Sequence, residues 1–491
     1  MGIRRPAVST AVAAALIGSL GVPIVAGTAS AKAGATTVRE DFDGDGYQDV
    51  AVSAAGAKVG GQLWAGYITI TYGSAHGIDP ARTTTITEDT PGVPGTSGDN
   101  HVFGYAMIAR DLDGDGLTDL AAVARGYRPD DNASGSVIVL WGRKGGITGE
   151  GAVRVPAPAN AQVGDDITAG DFDGDGHIDL FMSNGEDYDY HDVLYGPFGR
   201  DGAPAREQQV KVFSTDNFIN STAAGDFNGD GIEDLATFYV YENHAEGGKL
   251  WLGTKTGLST VPQRLNSAAA TAVADFDQDG YADLATRIFP GEDTEATDDD
   301  PGTVKIFYGS ASGPSQTRTQ TITQDTAGVP GASEKGDQFG DRLNAGDANG
   351  DGYPDLAVGV TGEAIGTKTR AGAVVLLKGG KGGLTGQGAQ AFHQDTAGVS
   401  GVAESGDVFG GSVRLLDVTG DGKADLVASA PGENLDLVVN GGAVWMLPGA
   451  ASGVTASKSV ALNPRDIGAP ATKALFGWNL GGDNGPGALI P

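Results

Sequence analysis

One nine-residue pattern constrains this chain more than any other feature. Aspartate recurs as D-x-[D/N/T]-x-D-G-x-x-D, followed by Leu or Val, in seven places. Four copies carry aspartate throughout: Asp41, Asp43, Asp45 and Asp49; Asp111, Asp113, Asp115 and Asp119; Asp171, Asp173, Asp175 and Asp179; and Asp275, Asp277, Asp279 and Asp283. Three replace the third position: Asp226, Asn228, Asp230 and Asp234; Asp347, Asn349, Asp351 and Asp355; and Asp417, Thr419, Asp421 and Asp425. First positions lie 70, 60, 55, 49, 72 and 70 residues apart. A period of that size is one supersecondary unit per repeat, as in a propeller or another β-array.

The segments between the loops read as strands. About 24 to 33 residues after most loop starts comes a β-branched or aromatic run bounded by Gly, such as 67–73, 136–142, 249–253, 303–309, 373–377 and 443–447. No helical period is sustained, and 81 glycines in 491 residues imply many tight turns. Each repeat reads strand, Asp loop, strand, turn, strand, Gly turn, strand. The expected fold is all-β, a seven-bladed propeller of four-stranded antiparallel blades with one hairpin loop per blade. Phe103-Gly104, Phe339-Gly340 and Phe409-Gly410 each stand eight residues before a loop, while repeats three, four and five lack the pair and read as trimmed. A fourth pair, Phe476-Gly477, has no loop after it. It is expected to open a closing strand, 476–482, beside the first blade rather than a vestigial eighth unit. Closure would remove exposed sheet edges.

Carboxylates at loop positions 1, 3 and 5 converge, Gly at position 6 permits a sharp turn, and Asp at position 9 completes an oxygen-rich site. Position 7 would add a backbone carbonyl, from Tyr47, Leu117, His177, Ile232, Tyr281, Tyr353 and Lys423. Hard oxygen donors in this number suit Ca²⁺, up to seven ions in all. Without a cation the carboxylates repel one another. An EF-hand would need Glu at position 12, where the chain has Val52, Ala122, Met182, Thr237, Thr286, Val358 and Ala428. The seventh loop, with Thr419, is expected to be the weakest. Cys is absent, so calcium is expected to rigidify the loops in place of disulfides.

Together the Phe-Gly pairs, the Asp loops and the Gly-punctuated strands resemble the FG-GAP repeat family. This is the repeat of the integrin α-subunit β-propeller and of secreted bacterial FG-GAP or VCBS repeat proteins. The resemblance covers roughly 38–483. It implies a calcium-binding propeller used for adhesion or ligand binding, with the bacterial variants the nearer likeness.

Residues 1–31 read as a signal peptide, with Arg4 and Arg5, an Ala-rich apolar run and a small-residue end at Ala29-Ser30-Ala31. The expectation is a secreted, extracellular, monomeric propeller over 32–491, with cleavage near Ala31 and no membrane span. The formal charge of −31 argues against nucleic acid as partner. Six scattered His form no H-E-x-x-H pair, and G-x-S-x-G and P-loop patterns are missing. The first reading is a non-enzymatic binding or adhesion module with a protein or glycan ligand. The alternatives are a propeller enzyme (polysaccharide lyase or hydrolase) and a calcium-dependent lectin. Two acidic insertions, 186–192 and 292–300, read as solvated. In the first, Tyr188, Tyr190 and His191 are candidates to meet a sugar. Lys335-Gly336-Asp337 is read as part of the run into Phe339-Gly340, not as an adhesive tripeptide.

Overall fold

The computed structural model describes residues 39–126, 135–156, 163–184, 190–212, 218–241, 244–291 and 299–482. The expected signal peptide, Tyr188, and most of both acidic insertions lie outside them. Within Val38–Pro491 the chain forms seven four-stranded antiparallel sheets. Blade 2 is typical: Met107–Arg110, Asp119–Ala124, Ser136–Leu140 and Val153–Arg154. Blade 3 runs Val163–Gly170, Asp179–Asn184, Tyr190–Tyr195 and Arg206–Lys211, and blade 4 Phe218–Gly225, Asp234–Tyr241, His244–Trp251 and Gln263–Leu265. Blade 5 runs Ala270–Ala274, Asp283–Arg287, Val304–Phe307 and Thr319–Ile322, and blade 6 Phe339–Gly346, Asp355–Val360, Ala373–Lys378 and Thr385–Phe392. Blade 7 runs Val413–Leu416, Asp425–Ala430, Ala443–Leu447 and Val460–Leu462. Repeats three to five, short in sequence, therefore keep all four strands.

Blade 1 is assembled from both ends of the propeller. Phe476–Leu480 pairs antiparallel with Val50–Ala54, which continues to Tyr67–Thr71 and Thr83–Ile86. The expected closing strand is present, ending as a strand at Leu480. Gly482 then bridges to Ile108 in blade 2.

The middle strands are apolar along their length because neighbouring blades cover both faces. Every residue of Val50–Ala54, Tyr67–Thr71, Asp119–Ala124 and Ser136–Leu140 is buried, whereas the outer strand Arg206–Lys211 is mostly exposed. The apolar side chains segregate into seven clusters, one between each pair of adjacent blades. The cluster between blades 7 and 1 holds Val427, Val444, Tyr67 and Phe476, so the ring closes through a packed interface.

The Phe-Gly pairs brace four junctions. Phe103, Phe339, Phe409 and Phe476 are fully buried. Each N–H donates to a carbonyl just before the third strand of the preceding blade: Ala65, Pro301, Ala371 and Gly441, at 2.8, 2.9, 2.8 and 3.1 Å. Gly faces each phenylalanine because its backbone lies against the glycine Cα; a Cβ on Gly442 would sit 2.3 Å from the Phe476 nitrogen.

Replacing Phe476 by Ala removes a fully buried ring from the junction between blades 7 and 1. A loss of about 3–5 kcal/mol is expected in urea unfolding at fixed calcium.

Candidate metal centres

In blades 2 to 7 the Asp loop joins the first strand to the second, and in blade 1 it leads directly into the second strand, Val50–Ala54. In loop 1, Asp41 Oδ1 accepts the N–H groups of Gly44 and Asp45 at 2.7 and 3.1 Å, and Oδ2 accepts that of Gly46 at 2.9 Å. Asp43 Oδ1 accepts the Asp45 N–H, and Asp45 Oδ1 accepts the Tyr47 N–H, both at 3.1 Å. Position-6 glycine has φ between 82° and 92° in all seven loops, the left-handed region that other residues reach only under strain. These bonds leave Oδ2 of positions 3 and 5 outside the turn's own backbone network.

Carboxylate oxygens converge in four of the loops. One ligand atom from each of Asp41, Asp43 and Asp45 lies within 4.8 Å of the others, as do those of Asp111, Asp113 and Asp115 and of Asp275, Asp277 and Asp279. In the third loop the trio is Asp171, Asp173 and Asp179. No such acidic trio occurs among the described residues of the loops carrying Asn228, Asn349 or Thr419. Asp277 is 8% exposed, and its Oδ1 is buried without a hydrogen-bond partner. A desolvated, unpaired carboxylate oxygen beside two further carboxylates fits a hard divalent cation.

Position 9 holds the blade together from within. Asp49 is buried; its Oδ2 accepts the Phe42 N–H and its Oδ1 the Gly73 N–H, both at 2.8 Å. The second contact recurs in every blade, from Gly142, Gly196, Gly253, Gly309, Gly379 and Gly449 to Asp119, Asp179, Asp234, Asp283, Asp355 and Asp425. The punctuating glycines are thus required by close approach: a Cβ on Gly73 would lie 2.3 Å from the Gln48 carbonyl oxygen. Burial pushes the carboxyls of Asp49, Asp119 and Asp179 up to about 8, against the pull of these N–H groups.

Two further positions, silent in the sequence reading, tie each loop to the next blade. The position-2 side chains Phe42, Leu112, Phe172, Phe227, Phe276, Ala348 and Val418 are buried, each in the apolar cluster between its own blade and the following one. The position-1 carbonyl accepts the position-8 N–H of the next loop at five junctions: Thr118 to Asp41, Glu233 to Asp171, Ala282 to Asp226, Ala424 to Asp347 and Gln48 to Asp417, at 2.8–3.3 Å. In the sixth loop position 8 is Pro354, which has no N–H; there the Gln278 amide reaches the Gly352 carbonyl instead. The signal for the anchor was available, since Phe follows the first Asp in four loops.

The other ends of the blades carry buried and half-buried acids of a different kind. Glu433 receives the Gln394 side-chain amide, and burial pushes it up to about 7, reinforced by Asp407 and Glu404. Asp337 is buried, so Lys335-Gly336-Asp337 is not presented as a tripeptide. The reading of 186–192 as wholly solvated is corrected for its last residues. His191 and Asp192 are buried in the third strand of blade 3, where His191 Nδ1 accepts the Asn184 N–H at 2.9 Å. His191 is a packing residue, displaced from the proposed sugar contact by its inward register. Tyr190 remains 37% exposed and lines a cleft of about 670 Å³ between blades 3 and 4, with Lys211, Tyr239, Trp251 and Arg264.

Replacing Asp119 by Ala strips the acceptor from two buried N–H groups. A cost of about 2–4 kcal/mol is expected in urea unfolding, even with a chelator present. For Glu433 the folded carboxyl titrates above its unfolded value, so its contribution is fully present below the unfolded pKa and is lost as pH rises through about 7. Glu433→Gln is therefore expected to raise the melting temperature by about 2 °C at pH 8 and to leave it unchanged at pH 4.

The FG-GAP-like repeat family matches residues 111–182, and the FG-GAP repeat family matches 33–70, 218–252, 339–377 and 409–447. Integrin alpha-PS5 of Drosophila melanogaster is 32% identical over 27% of this chain and 14% of its own length. Phosphatidylinositol-glycan-specific phospholipase D of Bos taurus is 29% identical over 31% of this chain and 18% of its own. The chain spans less than a fifth of the length of these relatives. An apocarotenoid oxygenase of Synechocystis aligns over 87% of this chain and 88% of its own at 10% identity, with a TM-score of 0.41.

Proposed function

Since the chain is an FG-GAP-repeat, integrin-α-like β-propeller, we propose that it is an extracellular calcium-binding module that holds a protein or glycan ligand. The observation that carries the calcium reading is the set of position-3 and position-5 carboxylate oxygens left outside the backbone bonds of turns 1, 2, 3 and 5, with the orphaned Oδ1 of Asp277 among them. Positions 1, 3, 5 and 9 of each loop would hold the ion, joined by the position-7 carbonyl. Calcium would neutralise carboxylates that otherwise repel and cross-link each turn. The site is structural: the loops wedge between blades, so a bound ion stiffens a junction. An exported, cysteine-free chain, with the leader removed near Ala31, has need of such cross-links.

Ligand binding fits the opposite ends of the blades. Hairpins between the second and third strands of blades 1 and 7 there expose Leu63, Trp64, Leu437 and Val439. No helix among the described residues is long and apolar enough to cross a membrane. A glycan reading is favoured by one feature, the cleft where the accessible rings of Tyr190 and Tyr239 suit a sugar face and the neighbouring Lys211 and Arg264 suit its acidic groups.

At calcium ten times its dissociation constant each loop would add about 1.4 kcal/mol. Chelation is therefore expected to lower the melting temperature by about 10 °C if all seven loops fill. An unchanged melting temperature sinks the calcium reading. A glycan array with and without calcium separates the ligands: discrete binding marks a lectin, loss of the glycan an enzyme, and silence a protein ligand.

A further inference from the structure

We propose that Arg82, Arg200, Arg206 and Arg318 are built-in counter-cations that compete with the metal for the position-3 and position-5 carboxylates of loops 1, 2, 3 and 5. The inference rests on the calcium reading of the loops and concerns what those loops do when the ion leaves.

The geometry is repeated four times. The Arg82 Nη2 donates to Asp43 Oδ2 and Asp45 Oδ2 at 3.2 and 3.1 Å. The Arg200 Nε and Nη2 pair with Asp113 Oδ2 and Asp115 Oδ2 at 2.5 and 2.7 Å. The Arg206 Nη2 donates to Asp173 Oδ2 at 2.7 Å. Arg318 pairs with Asp277 Oδ2, and with Asp279 Oδ2 at 2.5 Å. These are the same Oδ2 atoms that the turn's backbone bonds leave over. The guanidinium and the ion would therefore address one set of oxygens.

Each arginine is also held in place by an aromatic ring. Arg82, Arg200, Arg206 and Arg318 lie over Tyr72, Trp141, Tyr195 and Tyr308, at 6.0, 4.7, 3.3 and 4.7 Å from the ring centroid. Each ring belongs to the residue just before the punctuating glycine of the third strand. Three features thus occur together: Asp at position 3, an aromatic residue before the glycine, and an arginine between them. In loops 4, 6 and 7 position 3 is Asn228, Asn349 and Thr419, and the residue before the glycine is Leu252, Lys378 and Pro448. No arginine pairs with those loops among the described residues. Lys378 reaches Asp355 and Lys423 reaches Asp421, each a single point charge without a ring.

The pattern has an electrostatic reason. A carboxylate at position 3 is present only where a permanent cation accompanies it, so the motif aspartates of loop 1 together with Arg82 carry the same formal charge as those of loop 4 without one. Guanidinium stays protonated and spans two carboxylates with a planar fork, which an ammonium does not. The arginine side chains are 39–53% exposed, so each can swing into water when the metal arrives. Calcium then binds loops 1, 2, 3 and 5 against an internal competitor. When calcium departs, those four turns close on their own arginines and keep their shape. Loops 4, 6 and 7 have no such substitute.

The test is calcium titration calorimetry, with thermal melts in calcium and in chelator, on wild type and Arg82→Gln/Arg200→Gln/Arg206→Gln/Arg318→Gln. The variant is expected to bind calcium about fivefold more tightly at the affected loops, the factor that matches an ion pair of about 1 kcal/mol. It should melt lower than wild type in chelator and level with it in saturating calcium. Should the fourfold variant fail to fold, Arg82→Gln alone and in an Asp43→Asn background provides the same comparison. The single change should tighten binding at loop 1, and by a smaller factor once Asp43, one of the two partners of Arg82, is gone. Unchanged or weakened affinity overturns the inference while leaving the calcium reading intact. A wild type that binds no calcium removes both.

Discussion

Everything in this propeller depends on a wedge. The first two residues of each Asp loop do two unrelated things at once. The position-1 aspartate gathers the turn around itself through its carboxylate, and at most junctions its carbonyl receives an N–H from the next blade. The following side chain, phenylalanine in four loops, sinks into the apolar layer between the two blades. Polar and apolar forces that usually act in different places are here coupled within two residues. A change in the turn is transmitted to a junction without any intervening element.

The position-9 aspartate extends that coupling along the blade. It is desolvated and held by N–H groups from the turn and from the end of the third strand. Burial alone would favour the neutral acid, whereas two N–H donors and a nearby cation favour the carboxylate. The residue therefore sits where protonation and backbone bonding meet, and where the proposed cation would bind. A bound calcium ion would stabilise the blade less through new contacts than by making an already built hydrogen-bond network electrostatically tolerable.

Much of this was legible in the sequence. Seven loops at blade-sized spacing, Gly-bounded β-runs and a stray Phe-Gly pair near the chain's end are enough to write the ring and its closure, because each depends on local pattern. What escaped depends on packing across blades. The glycines after the third strand read as turn formers, but Gly73 and its equivalents are there because a neighbouring carbonyl leaves no room for a Cβ. His191 read as a surface residue because the segment before it is acidic; strand register, which no single sequence reveals, turned it inward. The arginine partners lie up to 87 residues from the aspartates they meet, as Arg200 does from Asp113, so spacing could not pair them.

The closing strand has a consequence in time rather than in energy. Val52 pairs with Leu480, so the inner strand of the first blade is the last strand of the propeller to leave the ribosome. Until then the edge at Val50–Ala54 stands open, and each later blade adds to an array that cannot yet close. The chain must remain unclosed while six further blades are made.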